Sequence, residues 1–250
     1  MKSRLSFATL TLFGAACLLQ LGCGTVDPEK EEPGAGGESA GGSSGTAKPE
    51  GPLLPWTVGN TWTYKVTDTG VSSLKTTTIG ELELVGGEGP HADVMAYHVT
   101  TAKGTDLNDH TESWQLPSAD NEDRIIRLRE QSFDASSGKL ELDEHWDPGK
   151  LHIDGSADRT VAGASWLELY EETKLAAGLQ PTTHTARDRW TVIGDDETVE
   201  VPAGTFEHAI HLRKVGSSTK EYWYLRGVGK LKETGSQTEE LTEYHLEDAP

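Results

Sequence analysis

The chain has 250 residues, 41 of them Asp or Glu and 22 Lys or Arg, for a net charge of −19. So acidic a surface is repelled by nucleic-acid phosphates and by anionic lipid headgroups, which argues against both as partners. Its two cysteines, Cys17 and Cys23, lie close together near the N-terminus. Everything downstream therefore lacks the thiols for a disulfide, a Cys-ligated zinc or a Cys nucleophile.

Lys2 and Arg4 form a positive head, and Leu5 to Gly22 carry no charge. The apolar part is short of the roughly 20 apolar residues that span a bilayer. Residues 1–22 read as a secretory signal peptide. It ends in Leu19-Gln20-Leu21-Gly22-Cys23, which resembles the lipobox of bacterial lipoproteins, although that pattern favours Leu where Gln20 stands. The resemblance implies that Cys23 is acylated and becomes the first mature residue. Gly14-Ala15-Ala16 would also permit an ordinary cut before Cys17. That cut would strand Leu18, Leu19 and Leu21 at a free N-terminus, and lipidation of Cys23 explains the same residues better. The mature chain would hold 41 acidic and 20 basic residues, a balance of −21. Acyl chains rather than charge must then hold it to the membrane, and two or more chains do so stably.

Residues 23–52 comprise the lipidated Cys and a Gly-, Ser-, Glu- and Pro-rich tether with no apolar periodicity beyond an isolated Val26. As a random coil it would reach roughly 30 Å. Residues 53–250 are enough for one domain with its own core.

In that domain Asn60–Val66 alternates, with Trp62 and Tyr64 on one face. Thr76–Val85 sets Ile79 against Leu82 and Leu84, a pattern that suggests a bulge at Gly80. Val94–Thr101, Thr111–Leu116, Arg124–Phe133 and Lys139–Trp146 follow, the last two joined by a turn at Ser136-Ser137-Gly138. Trp166–Ala177 has two readings. A capping box, Ser165 with Glu168, and Gly178 suit the only substantial helix, whereas alternation of Trp166, Glu168, Tyr170 and Glu172 suits a strand, which is preferred. Thr198–Val201, Phe206–Val215, Lys220–Leu225, Lys230–Glu233 and Glu239–His245 complete the set. The expected fold is mainly β: one antiparallel sheet, strongly curved as a half-barrel or folded as a sandwich, with at most one helix at 166–177. Trp62, Phe206 and Trp223 are its expected large core residues.

Three segments stand out: Trp56-Thr57-Val58-Gly59-Asn60-Thr61-Trp62-Thr63-Tyr64, Val201-Pro202-Ala203-Gly204-Thr205-Phe206 and Tyr222-Trp223-Tyr224-Leu225-Arg226-Gly227-Val228-Gly229. Together they resemble a loose family of uncharacterised bacterial lipoproteins. The resemblance implies a β-rich domain shaped like the half-barrel of outer-membrane lipoprotein carriers, and it carries over no activity or catalytic residue.

The nine His show no metal-binding spacing; His208 and His211 are three apart, which on a strand points them to opposite faces. The loops Asp106-Leu107-Asn108-Asp109 and Asp120-Asn121-Glu122-Asp123 lack the Gly and terminal Glu of a calcium-binding EF-hand. There is no nucleophile elbow, phosphate-binding loop or dinucleotide fingerprint. The expectation is a non-enzymatic envelope lipoprotein without metal or cofactor, exported and lipid-anchored through Cys23, in the outer membrane. Its β-domain would bind an apolar ligand such as a lipid, or serve as a structural or protein-interaction module with a filled core.

Overall fold

The computed structural model describes residues 48–104 and 108–247. The signal peptide, Cys23, nearly all of the tether and Asp106 lie outside the described residues. Twelve strands follow in order: β1 (Thr61–Asp68), β2 (Val71–Leu84), β3 (Met95–Lys103), β4 (His110–Ser118), β5 (Asn121–Phe133), β6 (Leu140–Asp154), β7 (Ser165–Ala176), β8 (Thr182–Val201), β9 (Gly204–Val215), β10 (Thr219–Leu225), β11 (Gly229–Thr234) and β12 (Thr238–His245).

Each strand pairs antiparallel with its sequence neighbours, and β1 also pairs with β12 through Trp62↔Tyr244, Tyr64↔Leu241 and Val66↔Glu239. The sheet is therefore a closed barrel, which corrects the expected half-barrel or sandwich. Alternation within a strand shows which face is buried but not whether the first and last strands meet. Their meeting removes both sheet edges, a benefit for a domain that no disulfide staples.

The 166–177 segment is strand, not helix. β7 pairs with β8 from Ser165↔Thr191 to Lys174↔Thr182, and the buried rings of Trp166 and Trp190 stack with centroids 6.1 Å apart. Burial of that alternating face outweighs the local capping pattern. Helix among the described residues is limited to one 3₁₀ turn, Ala157–Arg159. The bulge at Gly80 is present: the β2–β3 register shifts between Ile79 and Leu82, and a Cβ on Gly80 would lie 2.7 Å from the His98 carbonyl oxygen.

Eight strands make a barrel that side chains can fill, and wider barrels leave interior space. Here one end is filled and the other is not. At the filled end the segment before β1 folds under the barrel as a plug. Leu53 and Leu54 are buried there with Trp62, Ile79, Ile125, Ile153 and Leu231. Arg226, in the β10–β11 turn, donates hydrogen bonds to the carbonyl oxygens of Gly51 (3.1 Å) and Gly155 (2.6 Å), and Gly227 N–H donates to Pro52 (2.9 Å). Buried Asn60 donates to the Pro55 carbonyl and accepts from Glu247 N–H, tying the chain after β12 to the plug.

Candidate functional site

Above the plug lies a chamber of about 560 Å³. Its walls come from β2, β3, β4, β5, β6, β9, β10, β11 and β12, so it lies within the barrel lumen, and it reaches the β9–β10 and β11–β12 turns at Ser217, Ser218 and Gln237. The volume is in the range of small-molecule sites.

The lining follows from strand parity. On β10, Lys220, Tyr222 and Tyr224 point the same way; on β9, Ile210, Leu212 and Lys214 do, with Leu212 paired to Tyr222 and Lys214 to Lys220. On β2, Lys75 is in phase with Thr77 and Ile79 and pairs with Tyr64. Lys230 and Glu233 are three apart on β11 and would diverge on a regular strand. A register shift between Trp223 and Tyr224 pairs Lys230 with Tyr224 and Glu233 with Tyr222, bringing both inside.

Among the described residues, seven basic and three acidic line the chamber, in a chain whose overall charge is −19. Lys230 Nζ lies 2.7 Å from both Glu233 and Glu239. Lys220 Nζ donates to Glu233 at 2.6 Å, and Lys75 pairs with Glu239. Three ammoniums thus share two carboxylates. Arg127 pairs with Glu130, and Lys103 lies 3.3 Å from Asp109. Among the described residues, the carboxylates paired with Lys150 and Lys214 are distant, Glu172 at 3.6 Å and Asp188 at 3.7 Å. Aromatic faces support several of these cations: Lys230 lies 4.7 Å from the Tyr64 centroid, Lys214 5.5 Å from Trp190 and Lys150 4.8 Å from Trp146.

Burial sets the protonation pattern. Lys75 is pushed down to about 8 by burial and then by Lys230. Lys214 is pushed down to about 8 by burial and by Lys150, Lys220 and Arg127, despite Asp188. For Lys230 burial pulls the same way, but Glu233 and Glu239 outweigh it and hold the ammonium charged well above the usual lysine range. Burial would raise Glu233, yet Lys230 and Lys220 keep it far below the usual carboxylate range. His152 is held neutral by burial and by the surrounding Arg127, Lys230 and Lys214, with Arg127 Nη2 3.4 Å from its Nδ1. Burial raises Tyr64, Tyr222 and Tyr224, so their phenols stay protonated.

Beneath the chamber is a recess of about 60 Å³ between Leu54, Trp56, Trp62, Ile79 and Val99, with Thr77, His152 and Lys230 lining both spaces. The apolar side chains Leu54, Trp62, Ile79 and Val99 lie at this floor.

Among the expected core aromatics, Trp62 is buried at the floor and donates its indole N–H to the Val228 carbonyl (2.6 Å). Phe206 and Trp223 are only partly buried. Trp223 packs on the opposite face of β10 from Tyr222, stacked 4.1 Å from His211 and donating to Glu197 (2.8 Å). His211 is buried between Glu197 (2.9 Å) and Glu221 (3.4 Å), and His208, at φ +64°, bonds Asp196 at 2.6 Å. In the 120–123 loop, Asn121 accepts a hydrogen bond from Asp123 N–H and Asp120 from the Ser118 hydroxyl. Among the described residues no group of three or more His, Cys, Asp or Glu is placed to hold a metal. The chamber lysines went unnoticed in sequence, though a signal existed: a cation in the inward phase of Tyr- and Leu-bearing strands.

No family model matches the chain, and no curated protein does. It is similar to two solved structures. One is a candidate exported protein with a YmcC-like fold from Bacteroides fragilis, at 10% identity and TM-score 0.44, over 78% of this chain and 100% of that one. The other is a candidate lipoprotein from Parabacteroides distasonis, at 12% identity and TM-score 0.37, over 79% and 100%.

Proposed function

We propose that this protein is an exported lipoprotein, held to the outer membrane through acylated Cys23, whose barrel is a non-catalytic receptacle for a small molecule. The carrying observation is the 560 Å³ chamber, walled by nine strands of a closed barrel and plugged at one end. A structural or interaction module needs only a filled core, and a chamber of this size is more than such a role requires. Of the chamber's three carboxylates, Glu130 is bound to a guanidinium and Glu233 and Glu239 to ammoniums, which suits binding better than acid–base chemistry.

The outer face supports a barrel standing in water beside the membrane. It carries the ion pairs Arg213–Glu221 and Lys232–Glu240 on adjacent strands. A membrane-spanning barrel needs an apolar band there, and a Lys or Arg at the midplane costs about 2–4 kcal/mol. The tether gives the barrel room to stand clear of the headgroups.

Native mass spectrometry of the mature chain carrying Cys23→Ser, purified from its own host, tests the receptacle. The expected result is a co-purifying small molecule, at one per chain, that leaves on denaturation. A clean apo mass, with no small molecule taken up from a soluble extract of the host, would overturn the receptacle reading in favour of the filled-core module.

A further inference from the structure

The charge sorting in the lumen narrows the ligand class, an inference that rests on the receptacle reading above. We propose that the chamber takes an organic anion, its acid group held by Arg127, Lys214 and Lys230 around His152 and its compact apolar body directed toward the floor recess.

Among the charged side chains of the chamber, unused hydrogen-bonding capacity is of the donor kind. Arg127 Nε is buried without a hydrogen-bond partner among the described residues. Lys150 and Lys214 keep their nearest carboxylates at 3.6 and 3.7 Å, beyond a good N–H···O distance. Lys75, Lys220 and Lys230 together have one more charge than Glu233 and Glu239 supply. Neutral His152 accepts from Arg127 at Nδ1, which leaves its Nε2–H to donate. A carboxylate, phosphate or sulfonate offers only acceptors and meets all of these groups. A cation would find the chamber carboxylates already occupied, and a neutral polyol would leave the excess positive charge of the lining uncompensated.

The position of the cations fixes the ligand's orientation. Arg127, Lys214 and Lys230 line the chamber together with His152, and Arg127 Nη2 lies 3.4 Å from the His152 Nδ1. His152, Thr77 and Lys230 stand at the neck between chamber and recess. An acid group at His152 therefore places an attached apolar group over Trp62, Ile79 and Val99.

The test compares two fluorescent probes of similar shape on the mature chain carrying Cys23→Ser: 8-anilinonaphthalene-1-sulfonate, an anion, and N-phenyl-1-naphthylamine, its neutral counterpart. The expected result is saturable one-to-one binding of the sulfonate and at least tenfold weaker binding of the amine. Arg127→Met and Lys214→Met should each weaken the sulfonate about tenfold or more, the loss expected when a hydrogen bond to a charged group is removed, and leave the amine unchanged. Competition on the unmodified barrel needs no variant that could misfold: phenylphosphonate should displace the sulfonate and benzyl alcohol should not. Equal or tighter binding of the neutral probe, or displacement by benzyl alcohol as readily as by phenylphosphonate, overturns the anion proposal while the receptacle stands. Binding of neither probe, with a clean apo mass, overturns the receptacle and the anion proposal with it.

Discussion

Lys230→Met should be among the most damaging single changes in the barrel. Glu233 and Glu239 are 6% and 1% exposed, and among the described residues Lys230 is the one cation that touches both, at 2.7 Å each. Removing one partner of a buried ion pair costs about 3–5 kcal/mol, because the remaining charge stays buried without it. Glu233 keeps Lys220 and Glu239 keeps Lys75, so the low end, about 3 kcal/mol, is expected. That is a large share of the roughly 5–15 kcal/mol that holds a domain together. Urea unfolding followed by tryptophan fluorescence at pH 7 measures it. The pH dependence provides a second reading. In the parent chain Glu233 and Glu239 titrate below their unfolded values, so their contribution is complete above the ordinary Glu range and lost as pH falls through the folded values. Without Lys230 burial drives both carboxyls upward, so acidification relieves the variant and the gap to the parent narrows toward pH 5. A loss below about 1 kcal/mol, the scale of a surface pair, or a gap that widens on acidification, would refute the network as described.

Trp62→Ala should cost about 3–5 kcal/mol, as truncation of a buried aromatic does, and Trp223→Ala clearly less, since Trp223 is only partly buried; thermal melts of both variants check the order. His152 titrates well below its unfolded value, so its contribution is present above about pH 6.5 and lost as pH falls. His152→Gln should therefore flatten the stability–pH curve below 6.5, read as the difference in slope between variant and parent. Lys75 and Lys214 deprotonate near 8, so sulfonate-probe affinity should fall from pH 7 to pH 9 while that of the neutral probe holds. Cys23→Ser should move the protein from the membrane pellet to the soluble fraction; retention in the pellet after a high-salt wash would count against the lipid anchor.

Strand content was legible in the sequence because burial alternates wherever the wall has one wet face. Trp62 and Tyr64 and the bulge at Gly80 followed from local chemistry. Three features did not. β8 runs from Thr182 to Val201, but Arg187, Asp188 and Arg189 conceal its inward phase, because Asp188 is buried toward Lys214 and not toward an apolar core. β6 continues past Pro148 and Gly149 to Asp154, two residues that normally end a strand. Barrel closure depends on β1 meeting β12, almost two hundred residues apart, and no local pattern encodes that pairing. The chamber was hidden for a related reason: Lys75, Arg127, Lys214 and Lys230 come from four separate strands, and each alone reads as a solvated charge.

Stability alone does not account for the charged lumen. Taking an ammonium and a carboxylate out of water costs more than their pairing often returns, and well-packed apolar replacements of buried ion pairs are commonly neutral or more stable. The floor of this barrel shows the cheaper solution: Leu53, Leu54, Trp62, Ile79 and Ile153 fill it chiefly with apolar side chains. The same strands, a few residues farther along, switch to Lys75 after Thr77 and Ile79, and to Lys214 after Ile210 and Leu212. A barrel under selection for stability alone would extend the apolar filling upward along those strands. Ion pairs that leave 560 Å³ unfilled, keep Lys75 and Lys214 only partly charged above pH 8 and leave Arg127 Nε without a partner among the described residues are explained if another acceptor enters. An incoming anion would complete the coordination of Arg127 and Lys214, so ligand binding and barrel stability should rise together by mass action.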